Sequence, residues 1–458
     1  MTEGQGPWAG GKRLDTGTSR SPWPHAAGAD PSPRVTSQDD RRPQFSVPQS
    51  EGKLFTGFGG RRGRLFGLAF RTSLLTILTL GFYRFWMKTR LRRWYWSAIR
   101  PGGAPLEYTG TPIEKLLGFL MAVVIMAFYI GIVNLVLMFV SFAVLADNFA
   151  AYLTSFLGVI PLWFYASYRS RRYVLARTRW RGIRFGLEPG AWGYTWRAIL
   201  HWIVTILSLG LLWPRMTFAL EKYKIDRTSF GSVRLHQGGN WRMLYRVAWL
   251  PILSGLAMVG LVVWIFFIDP IGPMVPDPYS TEIYLGPRNP ERIWLLFLVG
   301  TVGMIGVVRY IVQSKAIMAN HKTAGGVGLI AAPRTGRVLW IYSMGYFLTY
   351  LAMVALMIPL LFLLGYYFSR MGPMVGADPF SEIPEWIVIV ISLLLYFSIF
   401  LSWSVLRHPL VTLPLWRHYA ETLIITGADD LAQVRQRDRD EFSEAEGFAE
   451  ALDVGAAI

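Results

Sequence analysis

The sequence contains no cysteine, which excludes disulfide bonds and thiolate metal sites. Histidine is scarce, and its six copies do not have the spacing typical of zinc ligands, so we predict no metal site. Residues 1–50 are polar and rich in Pro, Gly and Ser, and they lack the apolar core of a secretory signal peptide. We predict that residues 1–50 form a disordered cytoplasmic tail.

Acidic residues are also few, because 29 Asp and Glu stand against 46 Lys and Arg, for a net charge of +17. A basic protein of this kind can bind nucleic acid. Here, however, the basic residues flank long apolar runs, which favours contact with anionic membrane lipids and predicts no nucleic-acid partner. Runs of about 18 or more apolar residues predict membrane-spanning helices, so we predict a multi-pass membrane protein.

Six apolar runs predict spanning helices that are joined as three hairpins. Their bounds are 114–146 with 150–168, 245–268 with 292–312, and 338–368 with 385–406. Two shorter segments, near 70–84 and 196–213, have basic residues at both ends and are interpreted as re-entrant or interfacial helices. The predicted fold is an all-α polytopic membrane protein with six spans, and the alternative is eight spans. Both versions place both termini in the cytoplasm, with a membrane domain over 51–427 and an acidic cytoplasmic tail over 428–458.

Basic and aromatic side chains are concentrated between Gly81 and Pro112. Guanidinium groups match the geometry of phosphate, and Trp and Tyr settle at the membrane interface. We therefore predict candidate contacts to lipid head groups or to a substrate at Arg84, Arg90, Arg92, Arg93, Trp94 and Trp96, and a seventh at Arg71, which brackets the first short segment together with Arg84. The alternative is that these residues only fix the position of the helices in the membrane.

Short alternating runs that end near glycine recur between basic helix ends and apolar segments. They begin at Leu54, Leu106, Ile183, Val233, Val327 and Leu423. The pattern favours short cytoplasmic β-strands between the helical units, and such spacing predicts duplication of one unit. The phrase TILTLG at 76–81 returns as TILSLG at 205–210, displaced by 129 residues. A set of unrelated amphipathic connectors is the alternative interpretation.

These phrases together resemble the YjgN-like family of bacterial inner-membrane proteins, a domain of unknown function. The resemblance rests on FTGFGG at 55–60, LLTILTLGFYRFW at 74–86, KTRLRRWYWS at 88–97 and LEYTGTP at 106–112, with RTRWRGIRF at 177–185 in addition. Phe85 departs from the family pattern, which usually has Pro before this Trp. The resemblance implies an inner-membrane location for roughly residues 53–427, and it transfers no catalytic residues.

The sequence contains no nucleophile elbow and no phosphate-binding loop with the required lysine, so we predict no enzyme and no cofactor. Ionisable residues are almost absent from the predicted spans, which weakens the case for a proton-coupled carrier. Asn134 is the most central strongly polar side chain of the first predicted span. We expect it to form an interhelical hydrogen bond, and the alternative is a ligand contact.

The leading hypothesis is a transporter- or channel-like protein with a path for a small or lipid-like solute. Re-entrant segments need shielding by protein or by a water-filled cavity, which motivates such a path. The alternative is a non-transporting membrane scaffold that organises lipids or partner proteins. The lipid partners are expected to be anionic, protein partners are unknown, and a homo-oligomer is left open.

Overall fold

Pairs of helices alternate with short strands along the chain. The computed structural model describes residues 49–50, 52–128, 131–132, 135–145, 148–268, 275–276, 283–284, 293–370 and 385–437. The helices are α1 (Arg62–Leu78), α2 (Arg84–Ala98), α3 (Pro112–Phe128), α4 (Leu135–Leu145), α5 (Asn148–Ala176), α6 (Ala191–Leu207), α7 (Trp213–Ile225), α8 (Tyr245–Val263), α9 (Ile293–Ala319), α10 (Thr335–Arg370), α11 (Glu385–Arg407) and α12 (Leu413–Glu421). The strands are β1 (Gln49–Ser50), β2 (Lys53–Phe58), β3 (Ile99–Pro101), β4 (Leu106–Tyr108), β5 (Thr178–Trp180), β6 (Ile183–Leu187), β7 (Thr228–Phe230), β8 (Val233–Gln237), β9 (Val275–Pro276), β10 (Ile283–Tyr284), β11 (Lys322–Ala324), β12 (Val327–Ala331) and β13 (Leu423–Thr426).

All but two of these strands form one 11-stranded antiparallel sheet. Its order is β1-β2-β13-β12-β11-β8-β7-β6-β5-β4, and β3 pairs with the second half of β2. A turn through Gly102 and Gly103, both at positive φ, joins β3 to β4. Because β3 is paired at one end of the order and β4 is the last strand at the other, the sheet is nearly closed. The strands β9 and β10 pair separately.

Two-residue turns set the register of the hairpins in this sheet. Trp180 pairs with Ile183 across Arg181 and Gly182, and both turn residues have positive φ. That backbone is the one a type I′ turn requires, and its twist matches the twist of the flanking strands. Each of the six alternating runs named above lies in a strand of the sheet, in β2, β4, β6, β8, β12 and β13.

Each helical segment leaves the sheet and returns to a neighbouring strand. The strands that bracket α1–α2, β2 and β3, pair with each other. The same holds for β4 and β5 around α3–α5, β6 and β7 around α6–α7, β8 and β11 around α8–α9, and β12 and β13 around α10–α12. Helix contacts follow this order, and α11 packs against α1. The described helices and strands therefore form five successive units around a ring.

The prediction of an all-α protein with six spans is wrong. The short strands, of which several were expected to pair as a small sheet, join into one continuous 11-stranded sheet, because each helical segment brings its two flanking strands into register. Among the described residues, four helices are long and apolar enough to cross a membrane: Trp241–Ile268, Ile293–Ala319, Thr335–Pro359 and Leu393–Glu421. The first predicted span, 114–146, is only partly described, as α3 with 17 residues and α4 with 11, and is not among these four. The alternative count of eight is not supported either.

Each of the two short segments contains a chain reversal and so belongs to a pair of helices, and its re-entry into the membrane stays a prediction. Between α1 and α2 the chain reverses at Leu80, which has a φ of 50°, and the Gly81 N–H donates to the Thr76 carbonyl at 2.7 Å. The same turn recurs at Leu209 and Gly210 between α6 and α7. A left-handed residue followed by such a hydrogen bond is a common helix end. The repeated TLG or SLG phrase therefore stops one helix and starts the return to the sheet.

The chain after β13 packs on an apolar cluster of the sheet. The cluster consists of Leu54, Trp180, Phe230, Val327 and Ile425. Leu431 and Val434 pack against it, and the Ser232 N–H donates to the Arg435 carbonyl at 2.8 Å. Residues 428–437, the first part of the predicted acidic tail, are therefore folded against the sheet. The remainder of that tail, 438–458, and residues 1–48 of the predicted disordered tail over 1–50 lie outside the described residues, whereas residues 49–50 form β1 and pair with β2.

A chain that ends after Gly427 is expected to be less stable than the full chain by about 2–3 kcal/mol, because it exposes part of this cluster. The apparent melting temperature of the purified protein should fall by roughly 5 °C. A chain that ends after Arg437 is the matched control and should melt like the full chain. Equal melting temperatures for all three chains would contradict a packing role for residues 428–437.

Candidate functional site

Charged side chains are buried where the helices run into the sheet. Arg92 of α2 is 2% exposed. Its guanidinium carbon lies 5.7 Å from the centre of the Trp96 ring and 5.3 Å from that of Tyr108, and Nη1 donates to the Tyr108 hydroxyl at 3.4 Å. Lys115 Nζ lies 5.1 Å from the centre of the same Tyr108 ring. Two cations thus share one tyrosine ring, whose negative face stabilises both.

Arg93 and Trp96, two further predicted contact residues, form hydrogen bonds that connect this end of α2 to neighbouring elements. Arg93 Nη2 donates to the Gly110 carbonyl at 2.9 Å, which ties α2 to the loop after β4. Trp96 Nε1 donates to Thr178 Oγ1 at 3.0 Å, which ties α2 to β5. Both side chains therefore stabilise the fold, and their contact with lipid or substrate stays a prediction.

The other predicted site residues separate by exposure. Trp94 is half-buried and packs against Tyr95 in an apolar cluster of α2, whereas Arg71, Arg84, Arg90 and Arg93 are exposed on α1 and α2. The structure therefore brings Arg92 and Trp96 into contact and leaves four of the predicted arginines on exposed helix faces. Asn134 lies outside the described residues.

Glu114 of α3 and Arg177 at the end of α5 form a pair that the sequence did not reveal. Glu114 Oε2 accepts hydrogen bonds from Tyr173 Oη at 3.0 Å and from Arg177 Nε at 3.0 Å. The Arg177 guanidinium also lies 4.9 Å from the centre of the Tyr173 ring. The two charged residues are 63 positions apart in the chain, so no local pattern could have indicated the contact.

A second network, the Glu221 cluster, joins three successive units of the ring. It consists of Glu221 and Lys224 of α7, Arg171 of α5 and Lys322 of β11. Lys322 Nζ lies 2.9 Å from Glu221 Oε1, while Lys224 Nζ and Arg171 Nη1 lie 3.1 Å and 3.7 Å from Oε2. The exposed fractions of these side chains run from 16% to 32%, so the cluster is largely buried but open at one side.

The charges of this cluster determine its titration. Burial alone would raise the pKa of Glu221, but Arg171, Lys322 and Lys224 outweigh it and hold that pKa well below its usual range. Burial lowers the pKa of Lys224; Glu221 opposes this, whereas Arg171 and Lys322 lower it further. Three cations face one carboxylate, so the Glu221 cluster carries an excess of positive charge.

Arg92 and Glu221 occupy equivalent places in two units of the ring. The helices α1 and α6 have 17 residues each, and their first residues, 62 and 191, are 129 positions apart. The turn residues Leu80 and Leu209 keep the same separation, and so do Arg92 and Glu221. The second helix of each short pair therefore carries a charged residue at the same position, with opposite sign.

Metal-dependent chemistry has no candidate centre in the described ranges, where no three His, Asp or Glu side chains lie close enough to hold an ion. Three of the described histidines form hydrogen bonds within the protein. His418 Nε2, for example, accepts a hydrogen bond from the Arg334 N–H at 3.0 Å, which joins α12 to the start of α10. Guanidinium and ammonium groups are present at the described helix ends and can bind an anionic group.

Comparison with known proteins locates the family but no characterised relative. A search of curated proteins and a search of solved structures both return no significant match. One family model matches residues 53–451, which is most of the chain. The chain belongs to the family described as "Bacterial protein of unknown function (DUF898)", which is the YjgN-like family that the sequence motifs indicated.

Proposed function

We propose that this chain is an inner-membrane protein that moves an amphipathic, lipid-like solute between the two faces of the membrane. The observation that carries the proposal is the presence of two short helical pairs, α1–α2 and α6–α7, with exposed apolar tips. Leu80 is 86% exposed at the first tip, and Leu209 is 64% exposed at the second. Apolar tips of this kind are stable where they contact lipid chains.

The helices α1 and α6 of the short pairs are shorter than the hydrocarbon core of a bilayer is thick. Each of α1 and α6 has 17 residues, which corresponds to about 25 Å, whereas the hydrocarbon core is about 30 Å thick. The candidate spans are longer, at 25–29 residues, and α11, which belongs to one of them, packs against α1. A short helix beside a long one thins the bilayer locally. A thinner hydrocarbon layer lowers the barrier that a polar head group has to cross.

Basic residues support a cytoplasmic position for the sheet. Arg179, Arg181 and Arg184 belong to the β5–β6 hairpin, Arg234 to β8 and Lys322 to β11. Lys and Arg are concentrated on the cytoplasmic side of membrane proteins. Because β2 pairs with β13, the described chain enters and leaves the fold at adjacent strands, and in this proposal both termini lie on the cytoplasmic side.

Arg71 and Arg90 are the proposed contacts to anionic head groups. Arg71 lies on the exposed face of α1, where Phe70 and Leu74 are also exposed. A long arginine side chain can extend along such an apolar face while its guanidinium binds phosphate at the membrane surface. Arg92, in contrast, is enclosed by protein and positions the helix end.

Reconstituted vesicles test the proposal. The purified full chain in liposomes should accelerate the movement of fluorescent phospholipids between the leaflets. This movement is measured by adding dithionite, which reduces the label in the outer leaflet only. The double variant L80K/L209K should slow this movement at least tenfold, because charged tips withdraw from the hydrocarbon layer. I330K is the matched control. It replaces an exposed side chain of β12 in the sheet, and this variant should move lipid like the parent chain.

The competing function is a scaffold that organises lipids or partner proteins without moving them. It predicts lipid movement no faster than in empty liposomes, and L80K/L209K indistinguishable from the parent chain. A movement rate that depends on the two tips would support transport instead.

A further inference from the structure

The Glu221 cluster contains three positively charged side chains and one carboxylate. Arg171, Lys224 and Lys322 all point at one carboxylate, and the charged groups that act on Glu221 are these three cations. Since each basic side chain is at least two-thirds buried, water compensates the excess charge poorly. An added anion would balance it.

The arrangement suits an anion with several oxygen atoms. Lys322 approaches Glu221 Oε1, whereas Lys224 and Arg171 approach Oε2, so the cations converge on one point from three structural elements. Arg171 is the most open of the four, with 32% of its side chain exposed and a separation of 3.7 Å from Oε2. Its guanidinium has donors to spare for an incoming group, and guanidinium forks match phosphate oxygens.

Arg92, which holds the position of Glu221 in the first unit of the ring, shows that this position does not need three cations for the fold. There, the rings of Trp96 and Tyr108 lie on the Arg92 guanidinium. In the third unit the position has become an acid surrounded by cations. Arg171 and Lys322 would be enough to join α5 and β11 to Glu221, so the third cation, Lys224 on the same helix as Glu221, needs another explanation.

We infer that the Glu221 cluster binds a phosphate group between Arg171, Lys224 and Lys322, supplied by a lipid head group or by a soluble phosphate. This site goes beyond the proposed lipid movement and does not depend on it. Glu221 acts within the site as an internal anion that keeps the cations in place when phosphate is absent and competes with phosphate for them.

The test uses the purified full chain in a neutral detergent, where no lipid movement takes place. The apparent melting temperature is followed by tryptophan fluorescence during titration with inorganic phosphate. A second series uses short-chain phosphatidylglycerol, and a third uses short-chain phosphatidylcholine. Ionic strength is kept constant with chloride. We expect saturable stabilisation by phosphate, by phosphatidylglycerol or by both. A response to phosphatidylglycerol alone identifies a head group as the source, and a response to inorganic phosphate shows that a soluble phosphate is sufficient.

Variants separate binding from general stabilisation. R171Q should weaken the response at least tenfold, and K322Q serves as a second variant in case R171Q does not fold. R234Q, whose arginine pairs with Glu188 at the exposed side of the sheet, is the matched control and should respond like the parent chain. E221Q should melt at a lower temperature without ligand, yet bind phosphate at least as tightly, because the competing carboxylate is gone. A response that chloride reproduces, or one that R171Q and K322Q both retain in full, would overturn the site.

Discussion

Replacement of Glu221 by Gln is expected to lower the free energy of unfolding by about 3 kcal/mol, because it leaves three partly buried cations without their counter-charge. Thermal and chemical denaturation of the purified chain at neutral pH, without phosphate, would measure the loss. The matched control is Glu421→Gln. Glu421 is 55% exposed and 4.0 Å from Arg417, and exposed pairs of this kind contribute less than about 1 kcal/mol.

The pH dependence of stability provides a second signature of Glu221. Its pKa in the folded chain lies well below its usual range, so its contribution is fully present above the unfolded-state pKa of about 4.3. That contribution is lost as the pH falls from this value toward the lower folded-state pKa. The Glu221→Gln variant should lack this part of the acid transition. Parallel curves for parent and variant below pH 5 would contradict the assignment.

Substitution of Gly306 by Leu is expected to separate α8 from α9 and to destabilise the protein by about 3 kcal/mol. A Cβ atom at Gly306 would lie 3.0 Å from the Pro251 backbone nitrogen, and one at Gly303 would lie 3.1 Å from Ser254 Oγ. Both glycines therefore allow close approach of two candidate membrane spans. The apparent melting temperature in detergent would measure the effect.

The facing helix offers the control for this substitution. A Cβ atom at Gly260 of α8 would have no neighbour within 4 Å, so Gly260→Leu should leave the melting temperature within a few degrees of the parent. If Gly306→Leu and Gly260→Leu have equal effects, helix propensity rather than close packing dominates, and the proposed role of Gly306 fails.

The strands could be predicted from local sequence, but their assembly could not. Alternation at Leu54 and Leu423 indicates two half-buried strands, since side chains alternate between the faces of a strand. Nothing local indicates that β2 pairs with β13, because Leu54 and its partner Ile425 lie at opposite ends of the chain. The helix-ending turn at Leu80 was missed for another reason. Its left-handed residue is a leucine, where such positions usually hold glycine.

The same limit applies to the candidate site. The aromatic and basic pattern around Arg92 is visible in the sequence because those residues are close together in the chain, and their contact with lipid or substrate stays a prediction. The Glu221 cluster brings together residues from α5, α7 and β11, and Lys322 is 101 positions from Glu221. Glu221 stands in a short acidic and basic sequence that resembles an ordinary solvated helix face. Only the tertiary contacts show that three cations converge on it.

The depth of the two helical tips tests the central claim most directly. The cysteine-free chain allows single cysteines at Leu80 and Leu209, with Arg181 at a turn of the sheet as the reference. Each is labelled with a fluorophore, and the protein is reconstituted in liposomes with quenchers placed at known depths along the lipid chains. We expect labels at 80 and 209 to be quenched most strongly from within the hydrocarbon layer, and the label at 181 to be quenched by aqueous iodide. Quenching of all three labels by iodide would contradict the account.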